Sequence, residues 1–269
     1  MENKIQMSAL SRNHVQTLEG GHPTLVYANG FGCNQSMWTD VVQELHGQFE
    51  QILFDYVGSG KSDLSAYDPG RYTHLQGYTQ DLIEVCDACD IRGDAILVAH
   101  SVSCSIGILA AIQRPDLFKH LVLIGPNPCF LNDAGYVGGF ERVELEELLE
   151  LMDRNFMGWA DFLAPVVAGA DERASRRLNE SFCSTDPAIA RRFAEVSFFA
   201  DTRADLPLVS TPCLVLQHAR DTLAPMEVGY YLEKHLPHNR MQVLDITGHC
   251  AHMTHPKLIA EAIRSVAKT

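Results

Sequence analysis

Short apolar runs that alternate with helical patterns constrain this chain more than any other feature of its sequence. Helical patterns separate the runs; one spans residues 102–114 and ends before Pro115. Such alternation predicts an α/β fold with a mostly parallel sheet that is flanked by helices. Six runs fit strands that are buried on both faces: residues 25–28, 52–54, 96–99, 121–124, 214–216 and 243–244.

The alternation is interrupted between residues 124 and 214, where the pattern is helical throughout. A run of helices without strands indicates an insertion that lies over the sheet as a cap. We therefore expect an α/β core formed by residues 1–125 and 206–269, with a helical cap formed by residues 126–205. Four cap helices are predicted, at residues 140–152, 157–167, 172–182 and 187–199.

The charge balance and the cysteines limit the classes of function. The 21 basic and 34 acidic residues give a net charge of −13, which argues against a nucleic-acid binder and against adhesion to an anionic membrane. The N-terminus lacks the apolar segment of a signal peptide, so we expect a cytoplasmic protein whose eight cysteines are free thiols. Cys86 and Cys89 form a C-x-x-C pair, but inside a helical pattern, which does not favour a redox or zinc motif.

Ser101 stands where one predicted strand passes directly into a helix, within Ala99-His100-Ser101-Val102-Ser103. A turn this tight holds the serine hydroxyl above the sheet, near the positive end of the helix dipole. The usual pattern has glycine two residues before and two residues after the serine, because small residues let the strand and the helix approach closely. Ala99 and Ser103 occupy these positions here, and both are small. Ser101 is therefore a candidate nucleophile; the alternative interpretation is a helix N-cap serine.

Two further residues supply the base and the carboxylate that a catalytic serine needs. Asp221 lies in the loop after the strand predicted at residues 214–216, and His249 follows Gly248 after the last predicted strand. Each of the three residues thus lies at the carboxyl end of a strand, where open α/β sheets bind their ligands. The chain order Ser, Asp, His also matches that of serine hydrolases with this kind of turn.

Competing assignments involve neighbouring residues. His252 is the fallback base, and Asp245 is expected to lie within the sheet instead of in the loop that faces Ser101. His249, His252 and His255 are spaced three apart and could suggest a metal site. No cysteine or carboxylate accompanies this row at metal spacing, so we expect no metal.

An oxyanion hole needs two backbone N–H groups aimed at the developing negative charge. Val102, the residue after the nucleophile, is the first candidate donor. The second is Phe31 in the loop after residues 25–28, because flanking glycines let its N–H turn inward.

The segment Gly60-Lys61-Ser62 looks like part of a phosphate-binding loop. Asp55 stands where that motif needs a glycine, so its phosphate cradle would be incomplete. We expect a structural turn there and no nucleotide or other cofactor.

Taken together, these motifs resemble the α/β-hydrolase superfamily. The resemblance is closest to the subfamily of RsbQ-type bacterial stress-signalling hydrolases and plant karrikin and strigolactone receptors, and it runs from about residue 25 to the C-terminus. Ala99 departs from the glycine that is usual in this subfamily. The motifs that carry the resemblance are Asn29-Gly30-Phe31-Gly32, His100-Ser101-Val102-Ser103, Arg114-Pro115-Asp116-Leu117-Phe118, Pro126-Asn127-Pro128, Gly138-Gly139-Phe140 and Gly248-His249.

The resemblance implies an α/β-hydrolase fold with a four-helix cap inserted after the sixth strand. It implies Ser101, Asp221 and His249 as the triad, and Phe31 and Val102 as the oxyanion hole. It also implies a mostly apolar pocket under the cap. Aromatic side chains are concentrated in the cap region, and about half of them are expected to form the core of the cap itself. The candidates for the pocket are Phe130, Phe140, Trp159, Phe162 and Phe198.

Two functions remain open at this stage. One is a serine hydrolase that acts on a small apolar ester or lactone through an acyl-enzyme. The other is a sensor that uses the same pocket, hydrolyses its ligand slowly and recruits a regulatory partner through the cap. Glu144, Glu147 and Glu150 on the first predicted cap helix form either a solvated face or the docking surface for that partner.

Overall fold

The computed structural model of the chain describes residues 8–169 and 171–268. The described strands form one sheet in which neighbouring strands run parallel, except for the first strand, which pairs antiparallel with the third. In chain order the strands are β1 (Gln16–Leu18), β2 (Leu25–Ala28), β3 (Gln51–Leu53), β4 (Ala95–His100), β5 (Phe118–Ile124), β6 (Cys213–Arg220) and β7 (Asn239–Thr247). Their order across the sheet is β1-β3-β2-β4-β5-β6-β7.

Helices cover both faces of the sheet and form the cap, and short 3₁₀ turns lie at Gln35–Trp38, Leu64–Ala66, Arg71–Thr73 and Leu206–Leu208. The core helices are α1 (Ala9–Arg12), α2 (Thr39–Glu44), α3 (Leu75–Ala88), α4 (Val102–Gln113), α9 (Met226–His235), α10 (Ala251–Thr254) and α11 (Pro256–Ala267). The cap helices are α5 (Arg142–Arg154), α6 (Phe156–Ala168), α7 (Glu172–Ser184) and α8 (Pro187–Phe198).

The central strand β4 shows why continuous apolar runs predict this sheet. Its side chains alternate between two apolar cores, because successive residues of a strand point to opposite faces. Ile96 and Val98 pack with α2 and α11, whereas Leu97 and Ala99 pack with α3 and α4. All four are fully buried, and burying each large side chain contributes about 1.5–3 kcal/mol.

The four cap helices form where the sequence predicts them, with ends within two residues of the expected ones. The cap follows β5, so its predicted position after a sixth strand is wrong. The count differs because the described chain has a single strand, β1, ahead of Leu25–Ala28. The α/β-hydrolase fold itself is confirmed.

Hydrogen bonds tie the cap to the loop that follows β2. Ser181 on α7 is buried and donates from Oγ to the carbonyl of Gly32 over 2.7 Å. Arg177, one turn earlier on the same helix, donates to Asp40 over 2.8 Å. A side chain at Gly32 would put its Cβ 2.3 Å from the ring of Phe182, so the cap lies directly against this loop. The loop that carries Phe31 is therefore held from above as well as from the sheet.

Candidate active site

Ser101 occupies a strained turn between β4 and α4. Its backbone has φ 56° and ψ −126°, a left-handed conformation that costs a non-glycine residue about 1–3 kcal/mol. The turn leaves Ser101 as the residue before the first helical N–H groups of α4. The predicted strand-to-helix junction is thus present at this serine.

Close backbone approach makes that turn possible. A Cβ at Gly107 would lie 2.4 Å from the Cδ2 atom of Leu97, so a larger residue would require the Leu97 side chain to move for α4 to pack this tightly on β4. A Cβ at Gly30 would lie 2.5 Å from the imidazole of His100 and 3.2 Å from the Cβ of Ser101. A side chain at either glycine would therefore have to displace its neighbours around the turn.

Ser103, at the other flank of the turn, has a structural role. Its hydroxyl donates to the carbonyl of Asn29 and also lies 3.0 Å from the Tyr56 hydroxyl. Asn29 in turn accepts from the indole of Trp38 and donates to the carbonyl of Phe54, each over 2.8 Å. These bonds hold the start of the Phe31 loop beside Ser101.

Asp221 and His249 come together at the carboxyl ends of β6 and β7. The Nδ1 atom of His249 lies 2.8 Å and 3.0 Å from the two carboxylate oxygens of Asp221. Both side chains are almost completely buried. Backbone N–H groups of Leu223 and Ala224 also donate to Asp221, over 2.9 Å and 3.2 Å.

The pKa of Asp221 lies below its usual value. Burial alone would raise it, but the positive charge available on His249 and the hydrogen bonds from His218 and His249 outweigh that effect. Asp221 is thus ionised at neutral pH. An ionised carboxylate fixes the proton of His249 on Nδ1, which leaves Nε2 free to act as a base.

Ser101 and His249 line the same cavity under the cap. The Nε2 atom of His249 is buried and has no hydrogen-bond partner among the described residues. In the absence of substrate, catalytic hydrogen bonds are often long or poorly aligned. The arrangement leaves the basic nitrogen available to the serine hydroxyl.

The candidate oxyanion donors adjoin this cavity, which both Phe31 and Val102 line. Val102 is the first residue of α4, so its N–H has no acceptor within the helix. The N–H of Phe31 donates no backbone hydrogen bond in the described part of the chain. Both groups are therefore free to receive a negative oxygen.

Other histidines surround His249 but do not take its place. His252 is buried against Trp38 and His100, with ring centroids at 4.6 Å and 4.2 Å, and burial lowers its pKa to about 3. Burial also lowers the pKa of His100, whose Nε2 donates to the carbonyl of His249 over 3.0 Å. His252 therefore packs between aromatic rings and does not line the cavity.

The described residues contain one group with the spacing of a metal site, His218, Asp221 and His249. Its two Nδ1 atoms lie 3.0 Å and 2.8 Å from the same carboxylate oxygen. Ligands arranged tetrahedrally around zinc lie about 3.3 Å apart at the usual bond lengths, so these contacts are hydrogen bonds. His255 is exposed, and the predicted row of three histidines does not converge.

The cavity is small and apolar. It offers about 40 Å³ to the centres of water-sized molecules, room for about three waters. Cys33 and Cys250 also line it, and burial raises the pKa of both, to about 12 for Cys33, so both remain weakly nucleophilic thiols at neutral pH.

The aromatic residues predicted for the pocket divide into three groups. Phe130, Phe140 and Phe198 line the cavity. Trp159 is fully buried one layer behind it, where its ring packs against Phe31 at 5.9 Å. Phe162 is 57% exposed on the outer face of α6, so its predicted place in the pocket is wrong.

Sequence reasoning missed two contributors to the site. Phe182 closes the cavity with its ring 6.2 Å from that of Phe31, and nothing local in the sequence marks it. Gly125 directly follows β5 beside His249 and Asp221, and a glycine straight after a predicted strand was a usable signal. His218, which the sequence places next to the site as a structural neighbour and not as a second base, is a second imidazole on Asp221.

The Gly60-Lys61-Ser62 turn holds a carboxylate in place of a phosphate. Asp55 accepts from the backbone N–H groups of Lys61 and Gln35, over 2.9 Å and 2.8 Å. A Cβ at Gly60 would lie 2.4 Å from the same carboxylate. The turn is structural, as predicted.

The sequence profile of the alpha/beta hydrolase family matches residues 25–262. The chain belongs to the alpha/beta hydrolase family. This match spans the cap as well as every strand from β2 onward. None of the helices in residues 8–169 and 171–268 combines the length and apolar composition that a bilayer crossing needs.

Individual relatives narrow the comparison. A strigolactone esterase of Pisum sativum is 36% identical over 253 residues, which are 93% of this chain and 94% of that protein. Karrikin insensitive 2 receptor CA of Petunia hybrida is 35% identical over 250 residues, 92% of each chain. A solved hydrolase from Oleispira antarctica has a TM-score of 0.94 at 42% identity, covering 97% of this chain and 96% of that one. The predicted resemblance to the plant karrikin and strigolactone proteins is confirmed.

We expect Gly125→Ala to lower kcat/KM for a short aryl ester by about tenfold to a hundredfold, because small displacements of catalytic groups are costly. The new Cβ would lie 3.0 Å from the His249 ring and 3.3 Å from Asp221. Gly135→Ala is the matched control, since Gly135 also has a positive φ but has open space around it. Both variants should lose about 1–2 kcal/mol of stability in urea unfolding. Equal activity of the two variants would contradict the role of Gly125.

Proposed function

We propose that the protein hydrolyses small apolar esters or lactones through an acyl-enzyme on Ser101. The chain is a serine-type ester hydrolase by family. The observation that carries the proposal is one cavity that holds a serine on a strained turn and a histidine paired with a buried carboxylate.

The proposed reaction follows from these positions. His249 accepts the Ser101 proton on Nε2 while the serine oxygen attacks the substrate carbonyl. The N–H groups of Phe31 and Val102 stabilise the negative oxygen of the tetrahedral intermediate. His249 then gives the proton to the leaving alcohol, and water repeats the sequence on the acyl-enzyme. Asp221 stabilises the imidazolium that forms in each half-reaction.

These steps use only side chains, backbone groups and water. We therefore propose no cofactor and no metal, and we retain the prediction of a cytoplasmic location. The apolar walls of the cavity support the proposed substrate class, because they offer an acyl group few polar partners.

A ligand sensor is the second candidate function. The receptor named among the relatives favours it, and so does the acidic outer face of α5, where Glu144, Glu147 and Glu150 are exposed. Two of these acids have internal contacts: Glu144 accepts from the backbone of Glu141 over 2.7 Å, and Glu150 pairs with Arg154 over 2.8 Å. Glu147 is therefore the position at which the acidic face of α5 can be altered without breaking either of these contacts.

We expect Ser101→Ala to lower kcat on an aryl acetate by at least about a thousandfold while the protein stays folded, because loss of a triad nucleophile removes the acyl-enzyme route. Ser105→Ala is the control, since its hydroxyl contacts Thr202 and not the cavity. Circular dichroism checks the fold, and a serine-directed phosphonate should label Ser101 alone. Retention of a tenth of the wild-type rate in the Ser101 variant would refute the acyl-enzyme.

We expect kcat/KM to fall by about tenfold or more from p-nitrophenyl acetate to the octanoate, because a cavity of about 40 Å³ has room for few acyl atoms. The leaving group is the same throughout, so differences along the series show how well the cavity accommodates the acyl chain. Phe182→Leu should extend the tolerated chain, since this ring closes the cavity. A flat profile in the wild type would show that acyl groups do not enter it.

We expect Glu147→Lys to preserve esterase turnover but to weaken capture of a protein partner from the source cell, if the cap recruits one through its acidic face. Glu261→Lys on α11, exposed and outside the cap, is the matched control. Capture and turnover are measured on the same preparation. Unchanged capture would remove the acidic face from the mechanism, and no capture by the wild type would favour the plain hydrolase.

A further inference from the structure

We propose that His218 is a positioning residue of the triad, which holds Asp221 and the backbone ahead of His249 together through one N–H group. His218 lies on β6, three residues before Asp221, and its side chain is completely buried. It is absent from the cavity wall, so it acts through other residues and not on the substrate. The kinetic part of the proposal rests on the proposed function.

Both contacts of His218 are made by the same atom. Its Nδ1 lies 3.0 Å from Oδ2 of Asp221 and 3.1 Å from the carbonyl of Gly248. A carbonyl and an ionised carboxylate can only accept, so the Nδ1 atom must carry the proton. The Nε2 atom is buried without a partner in the described chain, where a bare lone pair costs less than an orphaned N–H. The contacts thus assign a single tautomer to His218.

The bridge lies beside an irregularity in the sheet. The pairing of β6 with β7 shifts register between His218 and Arg220 and resumes at Arg220 and Thr247. The N–H of Gly248 then donates to the carbonyl of Arg220 over 2.9 Å. Gly248, which has φ 97°, follows β7 and directly precedes His249. The imidazole of His218 therefore adds a side-chain link from Asp221 to Gly248 beside this backbone link.

The bridge also sets the basicity of the carboxylate. Oδ2 of Asp221 receives both imidazoles, over 2.8 Å from His249 and 3.0 Å from His218. Each donor stabilises the negative charge, so removing one makes the carboxylate a stronger partner for an imidazolium at His249. Loss of the bridge should thus make His249 harder to deprotonate.

The other titratable groups that face His249 do not mask the effect of the His218 bridge on the His249 proton, because they stay uncharged. His100 from β4 and His252 from α10 are kept neutral by burial, which lowers the pKa of each. Cys250, the residue after His249, stays protonated because burial raises the pKa of its thiol. Among these groups around His249, Asp221 carries the negative charge, and His218 is the second imidazole that donates to it.

Two variants of equal shape test the bridge. Asparagine places an amide nitrogen about where Nδ1 of histidine lies, whereas leucine fills the same space without a donor. We expect His218→Leu to move the acidic limb of the kcat/KM profile up by about one pH unit, and to lower kcat about tenfold with KM little changed. In His218→Asn the acidic limb of the kcat/KM profile should lie at the wild-type pH, because the amide supplies the donor. A wild-type profile in the leucine variant, or identical profiles in both variants, would overturn the proposal.

A second measurement does not depend on turnover. Nitrogen-15 NMR of labelled histidines should place the proton of His218 on Nδ1, in the wild type and equally in Ser101→Ala. A proton on Nε2 would overturn the bridge even if both substituted proteins failed to fold. Activity that survives in Ser101→Ala would refute the proposed hydrolase while leaving this result intact, so the two failures are distinguishable.

Discussion

The left-handed turn at Ser101 is the constraint on which the rest of the site depends. Such a turn is unfavourable for serine and persists only because β4 is buried between two apolar cores and α4 is packed against it through Gly107. The same packing brings Gly30 against Ser101 and so positions the loop of Phe31. The burial of β4, its contact with α4 and the position of the Phe31 loop therefore depend on the same packing.

The sequence predicts the interior of the sheet better than its margins. Each strand from Leu25–Ala28 to Cys213–Arg220 contains a continuous apolar run that is buried on both faces. Gln16–Leu18 is short and largely exposed, and most of Asn239–Thr247 is partly or fully exposed, so neither shows that signal over its length. The sequence therefore shows no apolar run for the first strand and too short a run for the last one, whereas the expected position of the cap after a sixth strand came from the resemblance alone.

The three residues of the proposed triad can be selected from the sequence because each follows a strand that is recognisable locally. The pocket was less so, because it depends on which side of a helix faces inward. In α6 apolar residues occur on nearly every side, so Phe162 and Leu163 cannot be ranked by pattern; the structure turns Leu163 inward and Phe162 outward. Phe182 comes from a different cap helix, and only the assembled fold brings it to Phe31.

Four buried imidazoles surround one carboxylate, and two independent contacts select the base among them. His249 touches both Asp221 and the cavity. His218 touches the carboxylate but not the cavity, His100 lines the cavity without bonding the carboxylate, and His252 does neither. A base in the proposed mechanism must both reach the substrate and have its charged form stabilised, and of these four imidazoles His249 makes both contacts. The remaining imidazoles are then free to serve as donors and packing groups that hold it in place.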